Sequence, residues 1–306
     1  MPLDPALGAL IRAKLAHASA PQWAMPIAEV RRAFSALWTP AMTGAPPGVA
    51  RVEDIAIPAA GASVRARVYA PASARRPVML YFHGGGYVKG GIEDSDGFCR
   101  SLARVTDHIV LSVDYRLAPE HSFPAALDDA YAATSWTCAH LADLGGAPGP
   151  VVVCGESAGG NLAAVTCLRA RDDPHIAIRF QVLLQPVVDF TLSFASMALP
   201  ATECLVPRAD LAWYYRTYYG DERDRRDACV SPLYADDLSR LPPALIIAAE
   251  FDTLRDEAAA YAERLVASGV PARYHCYPGM VHGFLQMGGV VSQAGDALRE
   301  IAQAIG

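Results

Sequence analysis

Short apolar runs alternate with longer amphipathic segments over most of the chain. The apolar runs lie at 77–82, 109–113, 151–154, 182–184 and 244–249. Short runs of this kind are typical of parallel strands that are buried on both faces of a sheet. The segments with helical spacing lie near 96–105, 122–141, 158–171 and 254–268. Strands that alternate with helices predict a parallel, doubly wound α/β sheet.

Elements of a different character precede and follow this pattern. Residues 52–57 and 64–69 mix polar and apolar positions, as antiparallel strands near a sheet edge do. A final strand is predicted at 272–277, and the helix after it has one apolar face, formed by Ala294, Leu298, Ile301 and Ile305. We therefore expect a mostly parallel sheet of eight strands, flanked by helices.

Two segments do not fit the alternation. Residues 4–18 have the spacing of an amphipathic helix, and a second short helix is predicted at 27–37, before a proline-containing loop. Residues 189–238 separate two predicted strands by far more than an ordinary connection does. Such an insertion is often a lid or binding element, but its aromatic residues also have the spacing of a helix core. These residues are Trp213, Tyr214, Tyr215, Tyr218 and Tyr219.

Composition and charge exclude several classes of protein. The 306 residues are 52% hydrophobic and carry a formal net charge of -6, so a large core is expected and a basic surface for nucleic acid is not. No run approaches the roughly 18 apolar residues of a membrane span. Asp4, Arg12 and Lys14 interrupt the N-terminal apolar stretch, unlike a signal peptide. The seven cysteines are scattered without a metal-binding spacing. We expect a cytoplasmic protein with reduced thiols, no metal and no stable membrane insertion.

The strongest chemical motif is G-x-S-x-G, which spans residues 155–159 and has Ser157 at its centre. It lies between a predicted strand and a predicted helix. Serine on a sharp strand-to-helix turn has strained backbone geometry, and side chains two positions away would collide with neighbouring backbone, so glycine is needed there. The turn exposes the hydroxyl at a helix N-terminus, where developing negative charge is favoured. Ser157 is therefore the candidate nucleophile.

Three consecutive glycines follow His83, directly after the strand at 77–82. Unobstructed backbone amides in such a loop are suited to bind the oxyanion that forms during acyl transfer. We assign this role to the N–H groups of Gly84, Gly85 and Ala158, and we expect His83 to anchor the loop by hydrogen bonding. A phosphate-binding loop is disfavoured because no Gly-Lys-Ser/Thr sequence follows.

A serine nucleophile needs an adjacent base, and α/β-hydrolases place the acid after a late strand and the histidine after the last one. His282 follows the last predicted strand, whereas its competitor His275 lies within that strand. Glu250, Asp252 and Asp256 compete for the acid's role. Asp252 is chosen because it lies in the turn between strand and helix; Asp256 falls in the first helical turn, where the dipole alone explains an acid.

Together the motifs resemble the hormone-sensitive-lipase-like family of esterases (bacterial family IV) in the α/β-hydrolase superfamily. In chain order they are HGGG from His83, DYRLAPE from Asp114, GESAGG from Gly155, DTLRD from Asp252 and HGF from His282. The resemblance supports Asp252 as the triad acid. It implies a helical cap made of residues 1–50 and 189–238, over a catalytic domain made of residues 51–188 and 239–306.

The resemblance also implies roles for residues around the triad. Gly86 and Glu156, the latter at a position where many members have Asp, are expected to support the loops together with His83. Tyr87 follows the glycines, where an aromatic residue is common, and is a candidate for the substrate pocket, although simple packing explains it as well. Trp213 and Tyr214 are further candidates for the pocket.

The activity that the resemblance implies is hydrolysis of short- to medium-chain acyl esters through an acyl-enzyme, without metal or cofactor. The partner would be a small ester substrate, and the protein a monomer or homodimer. The same triad would also serve an amide, formamide, carbamate or lactone hydrolase. A non-catalytic receptor for a small ligand on the same fold is disfavoured, because all three triad candidates are present.

Overall fold

One mostly parallel sheet forms the centre of the molecule. A computed structural model describes residues 1–17, 20–59, 62–73 and 75–306, and within these ranges the sheet has eight strands. This confirms the expected fold class. The strands are β1 (Arg51–Ala59), β2 (Ala62–Ala70), β3 (Val78–Phe82), β4 (Ile109–Val113), β5 (Val151–Glu156), β6 (Ile178–Leu184), β7 (Ala244–Phe251) and β8 (Ala272–Val281).

The order of the strands determines where a site can form. The order is β1-β2-β4-β3-β5-β6-β7-β8, in which β2 runs antiparallel to β1 and β4 and the other neighbours are parallel. From β3 the chain crosses to β4 on one side, and it then returns to β5 on the other side. The carboxyl ends of β3 and β5 therefore lie at the point where the direction of winding reverses, which is where open α/β sheets bind their ligands.

Helices cover both faces of the sheet, as the alternation along β3 requires. Val78, Leu80 and Phe82 join one core cluster, and Met79 and Tyr81 join another on the opposite face. The first cluster includes α5 (Ala125–Ala139), α6 (Ala158–Ala170) and α8 (Arg255–Ala267), and the second includes α1 (Pro5–His17), α4 (Ile92–Thr106) and α9 (Gln293–Ile305). Burial on both faces explains why the central strands are continuous apolar runs.

The segments outside this pattern are mainly helical. The first predicted helix is α1, and residue 18 of that prediction lies outside the described residues. Next come α2 (Ile27–Ser35) and α3 (Pro40–Thr43), so a short helix begins where a loop was predicted. The insertion between β6 and β7 contains α7 (Arg208–Tyr219). Its Tyr215 ring stacks on Phe190 at 3.9 Å, and much of the aromatic group is therefore core.

Strand β8 is longer than predicted. It continues through Pro278 and Gly279 to Val281, which pairs with Phe251 of β7. The register shifts between Ala249 and Phe251, and this irregularity accommodates two residues that usually end a strand. His282 therefore follows the strand directly, and β8 brings it to the carboxyl edge of the sheet.

Replacing Gly159 by alanine should destabilise the fold. A methyl group at this position would overlap the carbonyl oxygens of Phe82 and His83, where α6 passes the end of β3. Backbone atoms cannot move aside cheaply, so we expect a loss of about 3 kcal/mol or more in the free energy of unfolding, measured with urea. Gly48→Ala is the control, because the added methyl meets open space there. Equal stability of the two variants would contradict the steric argument.

Candidate active site

Ser157 lies on a turn with no intervening loop, since β5 ends at Glu156 and α6 begins at Ala158. Its backbone has φ 57° and ψ -116°, a strained conformation for a residue with a side chain. A side chain at Gly155 would overlap the carbonyl of Gly159, and one at Gly160 would come within 2.9 Å of Pro186. The glycines therefore permit the turn, which places Ser157 at the N-terminus of α6.

His282 and Asp252 meet because their strands are neighbours. Asp252 follows β7 and His282 follows β8, and the ring Nδ1 lies 2.8 Å from the carboxylate Oδ2. The carboxylate can only accept, so Nδ1 donates and Nε2 of the neutral ring is left as the acceptor. The other carboxylate oxygen accepts the Leu254 N–H at 3.0 Å. The pair is nearly enclosed, with Asp252 1% and His282 9% exposed.

The electrostatic surroundings favour protonation of His282. Burial lowers the pKa of its imidazole, the charge and hydrogen bond of Asp252 raise it, and the net result is a pKa above the usual value. The charge of Glu156 acts in the same direction, and that of Lys89 in the opposite one. A base of this kind accepts a proton readily and holds it as imidazolium during a reaction.

The competing residues are occupied elsewhere. Glu250 accepts the Gly279 N–H at 2.7 Å, and Asp256 accepts the Ser196 N–H at 2.8 Å. His275 pairs through Nδ1 with Glu300 at 2.7 Å. Each of these three side chains has a structural contact that accounts for it, and Asp252 alone among the three acids is hydrogen-bonded to His282.

The triple-glycine loop packs against the serine. A Cβ on Gly84 would lie 3.5 Å from Cβ of Ser157, so the backbone at this point is in contact range of the nucleophile. The N–H groups of Gly84 and Gly85 donate no hydrogen bond to the described residues. Ala158 is the first residue of α6, and its N–H is one of the free amides at a helix start. These three amides are available to an oxyanion beside Ser157.

Buried polar groups hold the glycine loop from behind. The Nδ1 of His83 donates to the Gly84 carbonyl at 2.8 Å, and the Tyr115 hydroxyl donates to the His83 carbonyl at 2.7 Å. The two rings stack with centroids 4.2 Å apart. Gly86 has φ 63°, and a side chain there would overlap the ring of Tyr214. The loop is thus fixed before any ligand binds.

Glu156 supports the loop that carries His282. It is 3% exposed, and its Oε2 accepts hydrogen bonds from the Tyr81 hydroxyl at 3.3 Å and from the amide of Gln286. Burial raises the pKa of Glu156. Its other oxygen lies beside Gly283, where an added Cβ would be 3.6 Å away. Glu156, which precedes Ser157, therefore lies beside Gly283, which follows His282.

Sequence reasoning missed Gln185, which has two hydrogen bonds to the backbone on either side of His282. It follows β6 with φ 47°, donates to the Val281 carbonyl at 3.0 Å and accepts the Gly283 N–H at 2.7 Å. The available signal was a polar residue at the carboxyl end of an apolar strand, the same feature that identified Asp252.

A cavity of about 510 Å³ opens beside these groups, and Ser157, His282 and the three glycines form part of its wall. Neither the Ser157 hydroxyl nor Nε2 of His282 has a hydrogen bond to the described residues. Such contacts often form only when substrate binds. Residues of α1, α2 and α7 also line this cavity.

The candidates for the pocket differ in position. Tyr214 lines the cavity, but Tyr87 and Trp213 do not. Tyr87 lies in the core instead, where its ring stacks on Tyr218 at 4.0 Å, because a positive φ of 65° turns it away from the cavity. Trp213 packs beside Tyr214 with ring centroids 5.1 Å apart, but it is not part of the cavity wall. The expectation for these two residues is corrected accordingly.

Neither a metal-binding cluster nor a membrane-spanning helix occurs within the described ranges. No cluster of three or more His, Cys, Asp or Glu side chains is placed there to bind a metal ion. No helix in the same ranges has the length and apolar character needed to cross a bilayer.

Known proteins are similar to this chain over most of its length. A family described as the alpha/beta hydrolase fold matches residues 79–286. Esterase LipI of Mycobacterium tuberculosis is 42% identical over 81% of this chain and 79% of its own length. Carboxylesterase NlhH of the same organism is 42% identical over 76% and 74%. The structure of a hyperthermophilic esterase from Pyrobaculum calidifontis superimposes with a TM-score of 0.94 at 41% identity, covering 100% of this chain and 98% of that one.

Asp252→Asn should lower activity and move its pH dependence. Without the carboxylate, burial dominates and the pKa of His282 falls, so the acidic limb of kcat/KM should shift to lower pH. The wrong ring tautomer should reduce kcat by up to about 10⁴-fold. The check is kcat/KM on an activated acetyl ester from about pH 5 to about pH 9. An unmoved acidic limb would mean that Asp252 does not set the pKa of the base.

Gln185→Met should lower kcat by about 10- to 100-fold with little change in KM, because a small displacement of the base misaligns it. Gln181→Met is the matched control: this buried glutamine lies in the middle of β6 and donates to the Pro242 carbonyl at 2.9 Å, just before β7 begins. Both variants lose buried hydrogen bonds, but only the first should slow the reaction. Equal kcat losses in the two variants would show a general loss of stability instead.

Proposed function

The chain belongs to the hormone-sensitive-lipase-like family of α/β-hydrolases and is a serine carboxylesterase, and from that premise we propose that Ser157 is its nucleophile, His282 its general base and Asp252 the acid that orients the base. One observation carries the proposal. The hydrogen-bonded pair of His282 and Asp252 and the unoccupied amides of Gly84 and Gly85 belong to the same small cavity as Ser157.

The first half of the reaction forms an acyl-enzyme. His282 accepts the Ser157 proton at Nε2 as the hydroxyl oxygen attacks the ester carbonyl carbon. The carbonyl oxygen becomes an oxyanion and accepts hydrogen bonds from Gly84, Gly85 and Ala158. The positive N-terminus of α6 adds favourable charge there. His282 then gives the proton to the leaving alcohol, and the acyl group stays on Ser157.

The second half releases the acid. His282 takes a proton from water, the resulting hydroxide attacks the acyl carbon, and the same amides bind the second oxyanion. The proton returns to Ser157 when the carbon–oxygen bond to the enzyme breaks. Asp252 stays ionised throughout and stabilises the imidazolium in each half.

The cavity supports a preference for short- to medium-chain acyl groups. Residues of α1, α2 and α7 close it, so segments 1–50 and 189–238 would form a cap over the catalytic domain at 51–188 and 239–306. A volume of about 510 Å³ with a mainly apolar wall accommodates an ester of modest size and leaves little room for a long chain.

A series of p-nitrophenyl esters from acetate to palmitate, with Ser157→Ala as the blank, tests this function. We expect rates to fall for the longest chains, and the variant to lose at least about 10⁴-fold in kcat. A fluorophosphonate should label one site per chain, at Ser157. Ser292→Ala, at an exposed serine, is the control and should react normally. A label on another residue, or normal turnover by Ser157→Ala, would refute the assignment.

A further inference from the structure

A buried lysine in the cavity wall has no role in the mechanism above. Lys89 follows the glycine loop, is 8% exposed and lines the cavity with Ser157. Its Nζ donates to the Gln22 side-chain oxygen at 2.6 Å and to the Tyr214 hydroxyl at 2.6 Å. The ammonium also lies 5.0 Å from the ring centroids of Phe34 and Tyr214. It therefore stands at the junction of the glycine loop, the N-terminal segment and α7.

This cation has no carboxylate partner within ion-pair distance among the described residues. The acid whose charge acts on it most, Asp210, accepts instead from the Gln22 amide at 2.8 Å and lies 3.7 Å from Nζ of Lys14. An ammonium group has three hydrogens to donate, and Gln22 and Tyr214 take two of them. One donor of Lys89 has no acceptor among the described residues, and its positive charge lies near two aromatic rings without an ion-pair partner.

Leaving a buried cation without a paired anion is unfavourable, since burial penalises an unpaired charge. Burial accordingly lowers the pKa of Lys89 to about 7, Asp210 raises it, and Lys14 lowers it. The other ionisable groups of the wall do not compensate the positive charge of Lys89. Glu156 is the one acid among the described residues of the wall, and it is already hydrogen-bonded to Tyr81 and Gln286.

We propose that Lys89 forms an anion subsite of the cavity, and that the esterase takes esters whose acyl or alcohol chain ends in a carboxylate. A single negative charge matches the single unmatched positive charge, whereas a dianionic group would leave a charge of its own unpaired. Lys89 and Ser157 line the same cavity, and its mainly apolar wall suits the methylene chain that joins the two ends of such a substrate. The inference rests on the proposed function, because the carboxylate end is recognised while the ester end reacts at Ser157.

The test compares esters that differ only in this charge. Monoethyl adipate carries the carboxylate on the acyl side, and ethyl 6-methylheptanoate replaces it by an isosteric isopropyl group. On the alcohol side, 6-acetoxyhexanoate is matched with 6-methylheptyl acetate. Wild type, Lys89→Met and Lys14→Met are assayed by titration of the released acid. Lys14→Met is the control because it removes a second cation of the same wall.

We expect the ratio of kcat/KM for the charged ester to kcat/KM for its isostere to fall by about 10- to 100-fold in Lys89→Met, for one of the two pairs. The pair that responds shows which side of the ester lies at Lys89. In Lys14→Met the ratio should change much less. An unchanged ratio in both pairs, or an equal loss of kcat/KM on charged and neutral esters, would overturn the subsite. Lys89 would then have only a structural role, through its hydrogen bonds to Gln22 and Tyr214.

A measurement on the wild type keeps the proposal testable if Lys89→Met does not fold. The ammonium is present below its pKa, so the charged-to-neutral ratio should be larger at about pH 6 than at about pH 8.5. Taking the ratio cancels the titration of His282, which acts on both esters. The groups that face the same ammonium are Asp210 and Tyr214 of α7 and Lys14 of α1. A constant ratio would overturn the subsite.

Failure of the subsite is distinguishable from failure of the proposed function. The neutral isosteres report on ester hydrolysis alone. If wild type hydrolyses them and Ser157→Ala does not, the triad assignment stands whatever the charged esters do. If neither kind of ester is hydrolysed, the triad assignment fails first.

Discussion

The steric limit at the turn between β5 and α6 determines the rest of the site. With no loop between strand and helix, the first turn of α6 lies directly against the end of β3, and the backbone at Gly159 touches the carbonyls of Phe82 and His83. That contact brings the glycine loop after β3 beside the serine after β5. The proposed nucleophile and the amides that would bind its oxyanion are therefore positioned by one packing contact, and the glycines are needed for shape before they are needed for chemistry.

A second set of constraints consists of buried polar side chains that bind backbone. Tyr115 holds the His83 carbonyl, and Gln185 holds the residues on both sides of His282. Such groups are costly to bury unless every donor and acceptor is matched, and when matched they fix one geometry. The proposed base and the glycine loop lie on segments that would otherwise be free to shift by the fraction of an ångström that acyl transfer does not tolerate.

The sequence was informative where local pattern decides the outcome. Continuous apolar runs identified the central strands. The order of an acid after a late strand and a histidine after the last one indicated Asp252 and His282 as a pair, and the structure joins them by a hydrogen bond. The sequence was less informative where contacts between residues far apart in the chain determine the local structure. The extension of β8 depends on a register shift against β7, and the position of Tyr87 depends on a positive φ that no local pattern indicates. Gln185 bonds to residues almost a hundred positions away, a pairing that becomes visible only when β6 and β8 are placed in one sheet.

The unmatched charge of Lys89 also bears on the catalytic base. Burial and the charge of Lys89 lower the pKa of His282, while Asp252 and Glu156 raise it, so the imidazole lies between two acids and one cation in a cavity with a mainly apolar wall. Charges interact more strongly there than in water, since little solvent screens them. A carboxylate bound at Lys89 would cancel the cation's effect and leave His282 more basic at the moment when it must take the serine proton. Recognition of the substrate's far end and activation of the nucleophile would then be coupled through the field inside the cavity, without any movement of the protein.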